Sequence, residues 1–255
     1  LEQVRVQFEQ ERQELEDKLK RIIADVMGDT PINLNSNEDI SKVIYSRELT
    51  DKKLHKLTFN IGTDEQGNDL YPPRMSKTQF SNAVRSTTKV IPKTMAINCP
   101  TCHGNKFIRK VRKDGTPYKN TNICRHCDGR GFLLQSLGKP AGLRMLPEGP
   151  RDASINGFKC GKEEMNRLIA QARLTNNLVA EDFLTSFARY NAVTVYLDSF
   201  VEGFKRWTRA DGILHPNFNQ HVAATGRLSS TNPNLMNQPK DRKFPIRRAV
   251  VSRWA

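Results

Sequence analysis

The 255-residue chain carries 41 Lys and Arg against 27 Asp and Glu, a formal charge of +14. Its 37% apolar content is spread along the chain, enough to bury a core, and no run of eighteen apolar residues offers a membrane span. The opening Leu1-Glu2-Gln3-Val4-Arg5 is a charged helical stretch without an apolar signal-peptide core, so a cytoplasmic setting is expected. Basic excess attracts polyanions, of which nucleic acid is the commonest and anionic membrane the alternative; a charge that only sets solubility is the bland reading. The excess concentrates in residues 106–130 and 227–253, which favours a localised partner.

In chain order, residues 1–28 predict one amphipathic helix, with Phe8, Leu15, Leu19, Ile22, Ile23 and Val26 at helical spacing and Gly28, Asp29 and Pro31 as the stop. Asn35 or Ser36 can cap a short helix bearing Ile40, Val43 and Ile44. Residues 64–73 read as loop, and a short helix follows Ser76 with Phe80, Val84 and Thr87. Residues 93–140 change texture to cysteine pairs, glycines and basic residues, as an inserted module would. Helical pattern returns from Lys162 with Met165, Leu168, Ile169 and Ala172. It then runs as one longer helix over 180–207, with Phe183, Phe187, Tyr190, Tyr196, Phe200 and Phe204 along it. After the Asp211-Gly212 turn, residues 213–218 predict a short strand, placed at an edge by Pro216.

Within the insert, Cys99-Pro-Thr-Cys102 and Cys124-Arg-His-Cys127 are two Cys-x-x-Cys pairs at zinc-type spacing. Each pair can present two thiolates from a tight turn, and two turns complete a tetrahedron; Gly104, Gly129 and Gly131 suit the unusual backbone angles of such turns. Structural Zn2+ on Cys99, Cys102, Cys124 and Cys127 is therefore expected, in a reducing compartment. Four thiolates leave no open position for chemistry. A redox dithiol would not need the second matched pair. The Cys-x-x-Cys-x-Gly pattern resembles the cysteine-rich knuckles of the DnaJ chaperone family, with Lys106 departing from the second glycine of the first knuckle. His103 and His126 stand beside the ligands as bystanders, and Cys160 is an unpaired core residue. Lys106, Arg109, Lys110, Arg112, Lys113, Lys119, Arg125 and Arg130 surround the cysteines and are expected to touch nucleic-acid phosphates, in a salt-dependent way. A solvated basic spacer is the alternative.

The segment 219–239 packs small hydroxyl and amide side chains around one arginine, with glycine and prolines fixing the backbone. Amides with an arginine suit the minor groove, where base pairs present acceptors at similar places and contact is sequence-tolerant. A polar surface loop is the alternative on composition alone. Its Thr225-Gly226-Arg227-Leu228-Ser229-Ser230 and Pro233-Asn234-Leu235-Met236-Asn237 resemble the corresponding motif of family A DNA polymerases, the bacterial DNA polymerase I type. Pro245-Ile246-Arg247-Arg248-Ala249-Val250-Val251 resembles the strand that leads into that family's palm. Ile32-Asn33-Leu34-Asn35-Ser36 resembles a segment of its thumb, and Tyr196-Leu197-Asp198 sits where the family has a similar triplet.

The resemblance implies a mainly α protein with small β structure (α+β). Residues 1–92 and 141–210 would form the two parts of a helical thumb with a long antiparallel pair, and 93–140 an inserted four-cysteine zinc module at its tip. Residues 211–255 would hold the primer–template-binding motif and the start of the palm. Arg227 would contact the primer strand, with Asn234 and Asn237 beside the template–primer groove. Asn219, Gln220, Thr225 and Ser229 would extend that surface, and Arg247 and Arg248 would steer phosphates or pair with palm carboxylates. Met236 replaces a common glutamine, and Val193 stands near a template-binding lysine of many relatives, so that contact is not expected here. The sequence has no hydrophobic-Asp-Tyr-Ser, His-Asp-Glu or nucleotide-binding Lys…Phe-Gly motif. The chain is thus expected to bind primer–template DNA but to be inactive alone. The Mg2+-binding carboxylates of the complete DNA-directed DNA polymerase would lie C-terminal or on a second chain, in a bacterial or phage-infected cell. A stand-alone nucleic-acid-binding module without catalysis is the alternative, and a protein-interaction adaptor the third reading.

Overall fold

The computed structural model describes residues 2–63, 66–67, 70–111, 117–220, 222, 225–236, 238, 244 and 246–247. It is an α+β chain: helices separated by small antiparallel strand pairs. Two compact units are present, Lys20–Leu184 and a second made of Leu1–Leu19 with Thr185–Ala255. No helix among the described residues is long and apolar enough to cross a membrane.

The Lys20–Leu184 unit takes in the end of α1 (Glu2–Met27), where Ile23 and Met27 are buried. Gly28 stops the helix at φ +72, and a Cβ there would meet the Thr94 carbonyl oxygen at 2.0 Å. That close approach, open only to glycine, lets Asp29 N–H donate to the Thr94 carbonyl at 3.0 Å, while Asp29 Oδ2 accepts from Ala96 N–H at 2.7 Å. Helix α2 (Asn37–Tyr45) starts at Ser36, whose hydroxyl accepts from Asp39 N–H, as the sequence indicates. Its Ile40, Val43 and Ile44 are buried. The hydrogen bonds of the returning segment run to what precedes it: Ala141 N–H to Ile91, Gly142 to Val26, Leu143 to Val43 and Met145 to Ile44. Residues 141–145 therefore stitch the chain back into the same core after the insert.

Helix α3 (Lys52–Phe59) and the pairing of β1 (Arg47–Leu49) with β2 (Thr88–Val90) went unanticipated. The buried stripe of α3 is only His55 and Phe59, too short to stand out among Lys52, Lys53 and Lys56. Helix α4 (Lys77–Thr87) begins at Ser76 in a capping box with Gln79 and buries Phe80, Val84 and Thr87. Strand β3 (Pro92–Asn98) pairs with β6 (Phe132–Pro140), Asn98 opposite Phe132, and between them lies the hairpin of β4 (Phe107–Val111) with β5 (Pro117–Ile123). The short hairpin of β7 (Ala153–Ser154) with β8 (Gly157–Phe158) precedes α5 (Lys162–Leu174), which buries Met165, Leu168 and Ala172.

The long helix expected over 180–207 is interrupted. Helix α6 (Leu178–Val195) passes into a π-helical turn, Tyr196–Val201, before α7 (Glu202–Trp207). Val193, Leu197 and Val201 are buried at intervals of four, longer than 3.6 residues, and the wider turn keeps them on one face. In the second unit they join Phe8, Tyr196, Phe204 and Ile246 in one core. The strand expected at 213–218 starts later, as β9 (Asn217–Asn219), which pairs with β10 (Ser229–Thr231). Pro216 lacks the N–H a ladder needs, and Leu214 makes only an isolated bridge with Thr208.

His55 is fully buried, its ring 4.8 Å from Phe59 and 5.9 Å from Phe158. Its Nδ1 lies 3.0 Å from Thr87 Oγ1 and Nε2 3.2 Å from the Gly157 carbonyl. A neutral ring that donates from Nε2–H to the Gly157 carbonyl turns Nδ1 toward the Thr87 hydroxyl, which itself donates to the Ala83 carbonyl at 2.8 Å. Burial holds the His55 pKa below its ordinary value despite the backbone hydrogen bonds. The unfolded chain therefore takes up the proton first as pH falls below about 6.5, and stability drops with it, by at most about 1.4 kcal/mol per pH unit. Thermal melts from pH 7.5 to 5 should show this loss below pH 6.5 in the native chain and a flatter profile in His55→Gln.

Candidate metal centre and nucleic-acid interface

The four paired cysteines converge. Their sulfur atoms all lie within 4.8 Å of one another and all four residues are buried. Cys99 Sγ is 3.8 Å from Cys124 Sγ, and Cys102 Sγ is 3.7 Å from Cys127 Sγ. A zinc tetrahedron with bonds of about 2.3 Å has sulfur–sulfur edges of about 3.8 Å, so the thiolates fit that ion. Ile108 and Leu133 pack on the cluster.

Two matched turns place these sulfurs. In the first, His103 and Gly104 lie at φ +50 and +87; in the second, Asp128 and Gly129 lie at +50 and +73. Two residues further, Lys106 and Gly131 occupy the corresponding positive-φ positions, at +66 and +85. Each turn also bonds the other: Cys99 N–H donates to the Gly131 carbonyl at 3.0 Å and Cys124 N–H to the Lys106 carbonyl at 2.9 Å. Each offers a backbone N–H to its second sulfur, Gly131 to Cys127 at 3.3 Å and Lys106 to Cys102. His126, read as a bystander, accepts or donates at Nδ1 to Thr101 Oγ1, 2.8 Å away, and so ties the two turns together outside the cluster.

The thiols are unequal. Desolvation pushes Cys99 up, but backbone N–H groups of Cys102 and Thr101 and the neighbouring thiols of Cys102 and Cys124 bring it down to about 6. Cys102 is pushed up to about 11 by desolvation and by its hydrogen bonds with Cys127 and Cys99. A cation bound among the four sulfurs would favour the thiolate form of each. Cys160, expected in the core, is only half-buried; desolvation and the neighbouring Glu164 push its thiol up to about 12.

In the other unit the polar segment is built on the β9–β10 hairpin. Asn219 stands opposite Ser229, whose hydroxyl donates to the Asn219 carbonyl at 3.4 Å. Gln220, Thr225 and Arg227 belong to the connection between the strands and are exposed, with Gly226 at φ +69 beside the arginine. Asn234 turns back: its Oδ1 accepts from Met236 N–H at 3.0 Å, and Ser230 Oγ, 3.5 Å away, accepts from Leu235 N–H at 2.9 Å. Arg247 donates to the Gln238 carbonyl at 3.2 Å. Asn237 and Arg248 lie outside the described residues, as do Arg112, Lys113 and most of the strand expected at 245–251.

The anchoring of this segment was not foreseen. Leu235, Phe244 and Ile246 pack into the core of Phe8, Val193, Tyr196 and Phe204. Arg189 grips Glu11 through both carboxylate oxygens, at 2.6 and 2.9 Å, and its guanidinium lies 4.9 Å from the Phe244 ring centre. Phe244 sits 4.8 Å from Tyr196 and 5.6 Å from Phe8. An apolar residue every few positions in a polar run was the available signal. Val193 is fully buried in this core.

The matched turns generate a test. At Gly131 a Cβ would meet the Gly104 carbonyl at 2.7 Å, so Gly131→Ala should destabilise the insert by about 2 kcal/mol or more. Lys106 bears the same backbone strain with a side chain, and Lys106→Gly should stabilise by about 0.5–1 kcal/mol. Denaturant titration of both variants checks the opposite signs.

The profile of DNA polymerase family A matches residues 155–254, which take in the β9–β10 segment. The DNA polymerase I of Mycobacterium bovis is 59% identical over 39 residues, 15% of this chain and 4% of that protein. That of Streptococcus pneumoniae serotype 4 is 37% identical over 67 residues, 26% of this chain and 8% of its own. That of Chloroflexus aurantiacus is 32% identical over 105 residues, 40% and 11% respectively. The POL domain of Pol1 from M. smegmatis, solved in complex with DNA primer-template and dNTP, aligns with 97% of this chain and 24% of that one, at TM-score 0.44 and 17% identity. The matched part of this chain spans about a tenth or less of the length of these curated relatives. The similarity to DNA polymerase family A thus covers residues 155–254 of this chain.

Proposed function

We propose that this chain is the DNA-gripping portion of a DNA-directed DNA polymerase. In this reading the exposed face of residues 219–237 holds primer–template DNA. The observation that carries it is the placement of Arg227. It is exposed between the paired strands β9 and β10, within the family-matched residues, on a segment that Leu235, and beyond it Phe244 and Ile246, tie to a core. A side chain that must read any sequence needs a rigid backbone beneath it and acceptors common to all base pairs in front of it. Asn219, Gln220, Thr225, Ser229 and Asn234 extend the surface, and Asn237, Arg247 and Arg248 continue it along the chain. Residues 1–92 and 141–210 serve as the thumb, 93–140 as a structural zinc module, and 211–255 as the binding motif and start of the palm.

Mg2+, held by carboxylates outside this chain, would stabilise the attacking and leaving oxygens of nucleotidyl transfer. This chain's own residues position the primer strand and supply no part of that centre. The remaining polymerase, C-terminal or on a second chain, completes the enzyme. A DNA-binding module without catalysis is separated from this reading by adding back that remainder.

Fluorescence anisotropy with a recessed-end duplex should show binding that Arg227→Ala weakens by about 1–3 kcal/mol, the scale of a good groove contact. The purified chain should bind this duplex and extend nothing. An unchanged affinity in the variant removes the role given to Arg227, and incorporation by the pure chain overturns the division of labour.

Metal analysis should return about one zinc per chain, lost in Cys124→Ser. Chelation should lower the melting temperature. Zinc should also be released as pH falls, because protons compete for the thiolates.

A further inference from the structure

We propose that the face of the β4–β5 hairpin opposite the thiolate cluster is a docking surface for single-stranded nucleic acid. Phe107 would be the base-stacking platform and Arg109 the phosphate contact. This rests on the polymerase reading, in which a template overhang is present. It also goes beyond the phosphate contact expected of the insert as a whole, by naming the face and the strand state.

The argument starts from register. Phe107 stands opposite Ile123, Ile108 opposite Asn122 and Arg109 opposite Thr121. Directly opposed residues share a face, and successive pairs alternate between faces. Ile108 packs on the cysteines, so Phe107 with Ile123 and Arg109 with Thr121 occupy the other face. There Phe107 is 49% and Ile123 61% exposed, and Arg109 is exposed. A half-exposed phenyl ring beside an isoleucine that leans on Gly129 but stays 61% exposed, with a cation next along the same face, offers an apolar and a charged contact side by side.

Charge selects the occupant. Residues 93–140 hold ten Lys and Arg against two Asp, a formal excess of eight. Among the described residues no carboxylate pairs with Lys106, Arg109 or Arg125; Arg130 has a long contact to Asp128 at 3.9 Å. That field fits a polyanion. Duplex DNA would use the cations and leave the ring idle, since its base faces are stacked away. A single strand offers both phosphates and free base faces, which aromatic side chains bind without regard to sequence. The ring therefore decides for the single strand over the duplex.

The test is anisotropy on the full chain with three labelled probes: oligo-dT, blunt duplex and a recessed-end duplex. Native protein, Phe107→Leu, Phe107→Trp, Arg109→Gln and Arg227→Ala are compared, with melting temperatures to confirm folding. Phe107→Leu keeps the apolar bulk and removes the π face. It should weaken oligo-dT binding about tenfold while leaving blunt duplex unchanged; Phe107→Trp should retain it. Arg109→Gln should reduce both the affinity for oligo-dT and its salt slope. Unchanged oligo-dT binding in a folded Phe107→Leu overturns the proposal, as does an equal loss on all three probes. Competition by polyglutamate that matches competition by unlabelled oligo-dT overturns it too, since the face is then a general anion patch. If Arg227→Ala still weakens the recessed-end duplex in any of these cases, the polymerase reading stands while the hairpin proposal falls. If the native chain binds none of the probes, both fall.

Discussion

The insert depends on one cluster of sulfur atoms. Between β3 and β6 the chain offers few apolar side chains to bury, and of these Phe107 and Ile123 stay exposed. What closes the module is four cysteines with Ile108 and Leu133 against them. Each knuckle hands a backbone N–H to the other, Cys99 to Gly131 and Cys124 to Lys106, so neither turn is complete without its partner. A cation at the centre would draw all four thiolates together and take the place of the apolar core that so short a segment cannot assemble. The same closure has a consequence for the surface. Among the described residues only Ile108 and Leu133 pack on the cysteines, and the opposite face of the β4–β5 hairpin is left to whatever the insert meets.

A different device holds the polar segment in the second unit. Hydroxyls, amides and glycine give such a run little to bury, so its backbone has to be fixed by its neighbours. The β9–β10 ladder fixes the near end, with Ser230 and Asn234 closing the next turn through their own side chains. Beyond it, Leu235, Phe244 and Ile246 reach the aromatic core. Arg189 covers Phe244 while bound to Glu11 through two oxygens, a geometry that keeps a long side chain in one place where a single surface contact would not. The exposed Arg227 is therefore carried on a backbone held at both ends.

Much of this was legible from residues whose physics is local. Ser36 and Ser76 announce their helices because a capping hydroxyl acts within three residues. The cysteine pairs announce their cluster because two short spacings determine where four sulfurs can go. What stayed hidden depends on long-range partners. Helix α3 presents a buried histidine whose ring contacts Thr87 and Gly157, far away in sequence, so no periodic apolar stripe marks it. The π turn in the long helix differs from a regular one by a single residue, and an interval of four between Val193, Leu197 and Val201 reads equally well as ordinary helix. The strand at 213–218 was drawn too early because Ile213 and Leu214 are apolar, whereas the ladder begins only after the proline that cannot donate to it.

The departure at Lys106 joins these levels. In the knuckle pattern a glycine belongs there, and the backbone does adopt the angle a glycine would take, φ +66. The fold has thus kept the conformation and given up the residue that adopts it without strain. A lysine in that position costs backbone energy that the rest of the knuckle must offset. The offset is visible: Lys106 supplies the carbonyl that accepts from Cys124 and the N–H that serves Cys102, so its backbone is bound from both sides. Its side chain stands exposed, immediately before Phe107. Glycine would serve the metal cluster better, and lysine adds a cation next to the exposed ring. The residue at this position makes sense if the surface of the insert is used as well as its core.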